Sequence, residues 1–235
     1  IYTPQEVATF KEKYFKETDF QWYKYVYQSA PMYTADVSVS GGNTGVRYYL
    51  SGGALSQDGL RMGSSYKKVF GRINLDAKLN DWVRANINTQ VSYDATRVSP
   101  FGNNNAVGGG LAAMNAPFAS PYDPNTGKEL VRVPLLDIAT PSHVISTNPA
   151  KTNNFILSTN GNLTITPIKN LTLRSLIGLE LDYGNSRSRT LPSYYRAYGN
   201  GSSERSFSMA SNITITNTAS YNMTFGDHHL TTLLG

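Results

Sequence analysis

The dominant regularity of the chain is a two-residue alternation of apolar and polar side chains. From Asn154 the odd positions read Phe155, Leu157, Thr159, Gly161, Leu163 and Ile165, and the even positions Asn154, Ile156, Ser158, Asn160, Asn162 and Thr164. From Ser206 the odd face carries Phe207, Met209, Ile213, Ile215, Ala219, Tyr221, Met223 and Phe225. The even face carries Ser206, Ser208, Asn212, Thr214, Thr216, Thr218, Ser220, Asn222 and Thr224. Successive side chains of a strand point to opposite faces, so each run predicts a strand with one apolar and one hydroxyl-and-amide face. Runs starting at Tyr33, Val46, Lys68, Val83 and Leu171 repeat the pattern, and His228–Leu234 is too short to judge. Soluble strands usually run about 5–6 residues, whereas a tilted membrane strand needs about 9–11. The runs from Trp82, Asn170 and Ser206 exceed that length. An all-β fold follows, an antiparallel up-and-down transmembrane β-barrel segment of about seven or eight strands.

The connections alternate in length. Gly42–Gly45, Asn80–Asp81, Pro167–Lys169 and Gly226–Asp227 are short, and Ser56–Ser65, Ser99–Asn153 and Leu191–Ser203 are longer. Outer-membrane barrels have short periplasmic turns and long extracellular loops, so the strand from Tyr33 is expected to run toward the periplasm. Residues 1–32 then form an extracellular segment with a short helix from Pro4, residues 33–235 the strands, and 99–153 a long extracellular loop. Trp82 and Phe225 fall at periplasmic ends, and Tyr93, Phe155, Tyr183 and Phe207 toward the outer side, where amphipathic rings suit the headgroup region.

Composition fits this reading. Only 16% of residues are charged, against about 25% in average globular chains, and Ser, Thr and Asn fill the wet positions. The formal charge of +5 comes from scattered Lys and Arg with no basic stripe, which argues against nucleic acid. The absence of cysteine excludes disulfides and thiolate metal sites. The uncharged run from Phe101 to Tyr122 is broken by Gly, Asn and Pro and predicts no membrane helix. No catalytic motif, metal site or cofactor is expected: His143 sits in the long loop, and adjacent His228 and His229 face opposite ways on a strand. Asp123-Pro124-Asn125-Thr126-Gly127 reads as a turn rather than a calcium loop.

Several runs between residues 19 and 80 carry a family resemblance. They include Asp19-Phe20-Gln21-Trp22, Ala30-Pro31, Val37-Ser38-Val39-Ser40-Gly41-Gly42-Asn43 and Arg47-Tyr48-Tyr49-Leu50-Ser51-Gly52-Gly53. Gln57-Asp58-Gly59-Leu60, Ser64-Ser65-Tyr66-Lys67 and Arg72-Ile73-Asn74-Leu75-Asp76 continue the succession. Together they resemble the early barrel of SusC/RagA TonB-dependent transporters, although Phe20 rather than Trp follows Asp19. The resemblance implies a 22-stranded barrel, of which this chain would be an internal arc. It also implies a plug, the TonB complex as energy source, and a SusD-like surface lipoprotein partner for oligosaccharide or peptide import. A small passive or adhesive barrel and a soluble β-sandwich are the competing readings. For ligand contact the richest loop positions are Phe101, Asn103, Asn104, Asn105 and Tyr122, together with Tyr194, Tyr195 and Tyr198. Aromatic faces stack on sugars or peptide side chains, and amides bond hydroxyls. Asp94, Arg174 and Glu180 on the polar face are expected to meet the plug.

Overall fold

The computed structural model describes residues 3–5, 8–9, 20–98, 120–133 and 138–235. Pro4, Gln5, Ala8 and Thr9 are helical. Phe101, Asn103, Asn104 and Asn105 lie outside the described residues.

The described chain contains helix α1 (Trp22–Val26), then strands β1 (Met32–Gly42), β2 (Val46–Asp58), β3 (Ser65–Lys78) and β4 (Val83–Arg97). The long loop carries a small pair, β5 (Arg132–Val133) and β6 (Ile138–Ala139), and helix α2 (Pro141–Thr147). Strands β7 (Ala150–Ile168), β8 (Leu171–Thr190), β9 (Ser202–Phe225) and β10 (His228–Leu234) complete it. The main sheet has 8 strands in the order β1-β2-β3-β4-β7-β8-β9-β10, and each pair is antiparallel. Among the described residues this up-and-down sheet is not closed, and no second large sheet packs on it. The short terminal run does form a strand, because β9 supplies the partner that its own pattern could not reveal.

The turns show how sequence sets the register. Asn43 Oδ1 accepts bonds from Gly45 N and Val46 N at 2.8 and 2.9 Å. Asn80 Oδ1 accepts from Trp82 N at 3.0 Å. Asn170 and Gly226 take positive φ, 71° and 56°, in tight β7–β8 and β9–β10 turns. Pro167 does not make its turn. It sits where the β7–β8 register shifts between Ile165 and Ile168, a bulge that tolerates a residue with no N–H. The strands also extend further into the long loops than alternation indicates, β2 to Asp58 and β7 back to Ala150.

Directly paired residues share a face, so the registers resolve the sheet into rows. One row runs Ala35, Ala54, Val69, Tyr93, Phe155, Tyr183, Met209, and another Gly41, Tyr48, Leu75, Ile87, Gly161, Ile177, Ile215. The opposite face carries Ser40, Tyr49, Asn74, Asn88, Asn160, Gly178 and Thr214 in a single row. Both faces are open. The accessible surface is 15888 Å², whereas a folded soluble chain of 25.8 kDa exposes about 10,500 Å². Among the described residues the buried apolar side chains, Trp22, Val26, Pro121, Val133, Ala139, Pro141 and Val144, all lie in the loop regions.

One cross-strand pair on the polar face depends on a missing side chain. Gly53 lies opposite Phe70, and a Cβ there would meet Phe70 Cζ at 2.6 Å and Ala35 O at 2.9 Å. The ring covers the glycine backbone, a stabilising use of an aromatic over an unshielded strand position. Gly53→Leu should destabilise the full-length barrel by about 1–3 kcal/mol, through displaced backbone as well as ring. Gly53→Ala should cost less. Denaturant titration of the refolded protein in vesicles measures both, and equal stability of wild type and G53L would contradict the packing described.

Candidate functional site

Two features position chemistry: the polar face of the sheet, and a cap of loops at the end where the long connections meet. Asp94 on β4 and Arg174 and Glu180 on β8 all fall on the polar face, as alternation indicates. The structure does not bring them together. Asp94 is buried near the long-loop end, where its Oδ2 accepts from Asn154 Nδ2 at 3.0 Å. Arg174 donates from Nε to Asn162 Oδ1 at 3.1 Å. It stands six positions from Glu180 along β8, roughly 20 Å. Amides dominate between them: Asn74, Asn88 and Asn160 share a row, and Asn86 pairs with Asn162.

The same face holds a feature that alternation alone does not single out. Asp36, Tyr49, Lys68, Phe70, Arg72 and Gln90 line a concavity of about 470 Å³. Arg72 Nη2 donates to Gln90 Oε1 at 2.9 Å across the β3–β4 pair. An aromatic ring, a guanidinium and amides in one hollow suit polar ligands or a polar protein surface. The pairing of Gly53 with Phe70 is the sequence signal that could have pointed here.

The cap has two packed clusters. In the first, Phe20, Trp22 and Tyr25 pack edge to face, with centroids 5.0 to 5.9 Å apart. Tyr122 joins them at 6.1 and 6.0 Å from Phe20 and Tyr25, and Val133 packs against Trp22. Tyr122 is placed by the turn that follows it. Asp123 Oδ1 accepts from Asn125 N and Thr126 N at 2.8 and 3.2 Å, and Gly127 has φ 66°. In the second cluster, Ala139 and Val144 pack with Met62, Ile145, Tyr194 and Tyr195. Thus Tyr194 and Tyr195 come together, Tyr122 belongs to the other cluster, and Tyr198 projects from its turn at 87% exposure.

The clusters are tied to each other and to the sheet. Arg132, beside Val133 on β5, lies over the Tyr195 ring at 5.5 Å, and Arg196 lies over it at 5.2 Å. Tyr25 OH donates to Ser142 Oγ at 3.4 Å, and the Ser142 hydroxyl donates to Glu129. Met62 N donates to Val26 O at 3.0 Å, tying α1 to the β2–β3 loop, and Leu191 N donates to Thr147 O at 2.8 Å.

His143 sits inside the second cluster. Its ring stacks on Tyr194 at 5.9 Å and 24° and lies 6.3 Å from Tyr195. Its Nε2 is buried without a hydrogen-bond partner. Burial holds its pKa below the ordinary 6.5, against a smaller opposing pull from Glu129.

No family model matches the chain. A TonB-dependent receptor of Formosa agariphila, P26, is 27% identical over 224 residues, covering 91% of this chain and 21% of that protein. The structure of the RagAB peptide importer in its closed-closed state superposes with TM-score 0.83 and 25% identity, over 94% of this chain and 25% of the matched one. Its open-open state gives TM-score 0.85 at 24% identity, over 99% and 29%. The chain therefore spans roughly a fifth to under a third of the length of these relatives. The sheet superposes on the two importer structures along nearly the whole chain. The chain is similar in sequence and fold to a barrel segment of a SusC/RagA-type TonB-dependent transporter.

In an outer-membrane barrel of this type the outward apolar face meets lipid. That explains why Val37, Val39, Ile213 and Ile215, at 55 to 75% exposure, are covered by none of the described residues. Ile215→Arg should destabilise insertion of the full-length protein by about 2–4 kcal/mol, whereas Thr216→Arg on the opposite face should cost far less. Folding titrations into phosphatidylcholine vesicles test the pair; equal costs would reverse the assignment of faces. In the cap, folded His143 binds its proton more weakly than the unfolded residue does. Its contribution to cap stability is therefore complete above pH 6.5. It is lost as pH falls from there through the lower folded value. Hydrogen exchange over 140–147 should accelerate on acidification in wild type, and much less so in His143→Phe.

Proposed function

We propose that this segment forms part of the wall and surface cap of an energised outer-membrane importer of oligosaccharides or peptides. In this reading a SusD-like surface lipoprotein is its partner, and the TonB complex drives it through a plug held elsewhere in the protein. The observation that carries the proposal is the combination of faces: an apolar exterior, an amide-lined polar interior and an aromatic cap roofing one end. A polar interior of Asn, Gln, Ser and Thr accommodates hydroxyl- and amide-bearing cargo without holding it by charge. The relatives support the reading, one described as a TonB-dependent receptor and one as a peptide importer with open and closed states. The protein acts as a transporter rather than an enzyme.

The long-loop end is assigned to the cell exterior, so residues 1–32 and 99–153 belong to the surface. Tyr122, Tyr194, Tyr195 and Tyr198, with Phe101, Asn103, Asn104 and Asn105, are the proposed cargo contacts. Tyr198 is the foremost, since its ring is exposed while Tyr194 and Tyr195 are engaged in the cap. Asp94, Arg174 and Glu180 are proposed to face the plug. Uptake of labelled oligosaccharide and peptide mixtures by cells carrying the full-length protein tests this reading. Import should stop when the TonB system is removed, and Tyr198→Ala should lower the cargo's apparent affinity by about two- to tenfold. Import that persists without TonB would instead make the barrel a passive pore.

A further inference from the structure

Basic residues that lie far apart in the sequence meet on the outward face at the long-loop end. Arg97 on β4 pairs with Lys151 on β7, Lys151 with Arg187 on β8, and Arg187 with Arg205 on β9. The four occupy one row, at about 4.8 Å per strand, and all are exposed. Like charges placed directly opposite each other destabilise a sheet, so four in succession call for an anion from outside. Among the described residues none of the four is in an ion pair. The acid in the same row, Asp58, is separated from Arg97 by Ser65, roughly 10 Å away across two strand spacings. Glu204 pairs with Ser188 on the opposite face. Arg205 is held in place, its Nε donating to Asn185 Oδ1 at 3.2 Å and its guanidinium lying 4.6 Å from the Phe207 centroid.

The rows below grade from wet to dry. Beneath the basic row come Ala95, Asn153, Asn185 and Phe207. Next come Tyr93, Phe155, Tyr183 and Met209, and then Val91, Leu157 and Leu181, with Ser211 at the β9 end. Cation, amide, aromatic and aliphatic layers succeed one another, as headgroup, interface and acyl chain do in a bilayer. The basic row stands four residues from the aromatic one, about 13 Å along a tilted strand and so roughly 10 Å in height. That is the level of lipid phosphates. Arg97, Lys151, Arg187 and Arg189 also line a hollow of about 360 Å³ against Ile145 and Pro149 of the cap. A charged headgroup could seat there, beside apolar surface.

We propose that this row is a binding site for the phosphorylated headgroup of an outer-leaflet lipid. It rests on the orientation given above only for which leaflet supplies the lipid. The test uses the full-length protein in phosphatidylcholine nanodiscs containing either bisphosphorylated lipid A or the same lipid with its phosphates removed. Native mass spectrometry of retained lipid is the readout. The phosphorylated lipid should be retained. Combined Arg97→Gln, Lys151→Gln and Arg187→Gln should weaken its binding by about a hundredfold. Arg47→Gln, Arg72→Gln and Arg84→Gln, an equal charge loss on the polar face, should leave it unchanged. Arg97→Lys with Arg187→Lys keeps the charge and should retain binding, which separates charge loss from misfolding. Equal retention of the dephosphorylated lipid, equal loss in the polar-face variant, or complete competition by millimolar inorganic phosphate would each overturn the site. Labelling of Tyr198→Cys on intact cells by an impermeant maleimide reports orientation separately. Failure of the orientation is thus distinguishable from failure of lipid binding.

Discussion

Everything in this structure hangs on a long antiparallel ladder of backbone hydrogen bonds, interrupted between β7 and β8 by the bulge at Pro167. In hydrocarbon no water is available for an N–H or C=O, so each must be paired within the sheet. β7 and β8, of 19 and 20 residues, come near to meeting that demand by pairing on both edges over most of their length. The 24-residue β9 meets it on the edge facing β8 from Ser202 to Tyr221. Once the backbone is satisfied in this way, side chains are free of the task of building an interior. The sheet can then leave both faces open, with lipid against one and polar interior against the other. Stability here comes from pairing and lipid exclusion rather than from a core.

The loop cap follows the opposite logic. It stands outside the hydrocarbon and must solve the problem of a small soluble domain, so it buries Trp22, Val26, Val133 and Val144 almost completely. Its rings pack edge to face, its cations lie over Tyr195, and its helices are fixed to strand ends by backbone bonds. A change in the cap is therefore felt at the rims of β2, β3, β7 and β8. One histidine, enclosed by two tyrosines and lacking a partner at Nε2, makes the packing sensitive to acid.

The two regimes meet at the rim. There the outward face changes from aromatic to basic within a few residues, below the apolar underside of the cap at Ile145 and Pro149. On the inner side of the same rim lie buried Asp94 with Asn154, and lower down the hollow around Phe70 and Arg72. Position along a strand thus decides environment as strongly as face does. Arg97 and Val91 share the outward face of β4, yet one stands in the basic row at the rim and the other in the apolar row beneath the aromatics.

Much of this was legible in the sequence. Alternation gives the face of each residue because a strand's side-chain period is two, so Ile213 and Thr214 could be separated without coordinates. Alternating loop lengths gave the up-and-down order, and Gly226 marked a turn that needs positive φ. What alternation could not give was register, which depends on where each turn closes and where a bulge intervenes. Pro167 looked like a turn and is a bulge. His228–Leu234 was too short to stand alone, but β9 makes it a strand. Tyr122, Tyr194 and Tyr195 were visible as loop aromatics, yet only contacts from distant segments divide them between two clusters. Most plainly, Arg97, Lys151, Arg187 and Arg205 are scattered along the chain and read as no stripe at all. The sequence by itself determined the faces within its alternating runs, and Lys151 lay outside them, in the predicted long loop. The tertiary structure, by fixing the register of four strands, decided that they stand side by side.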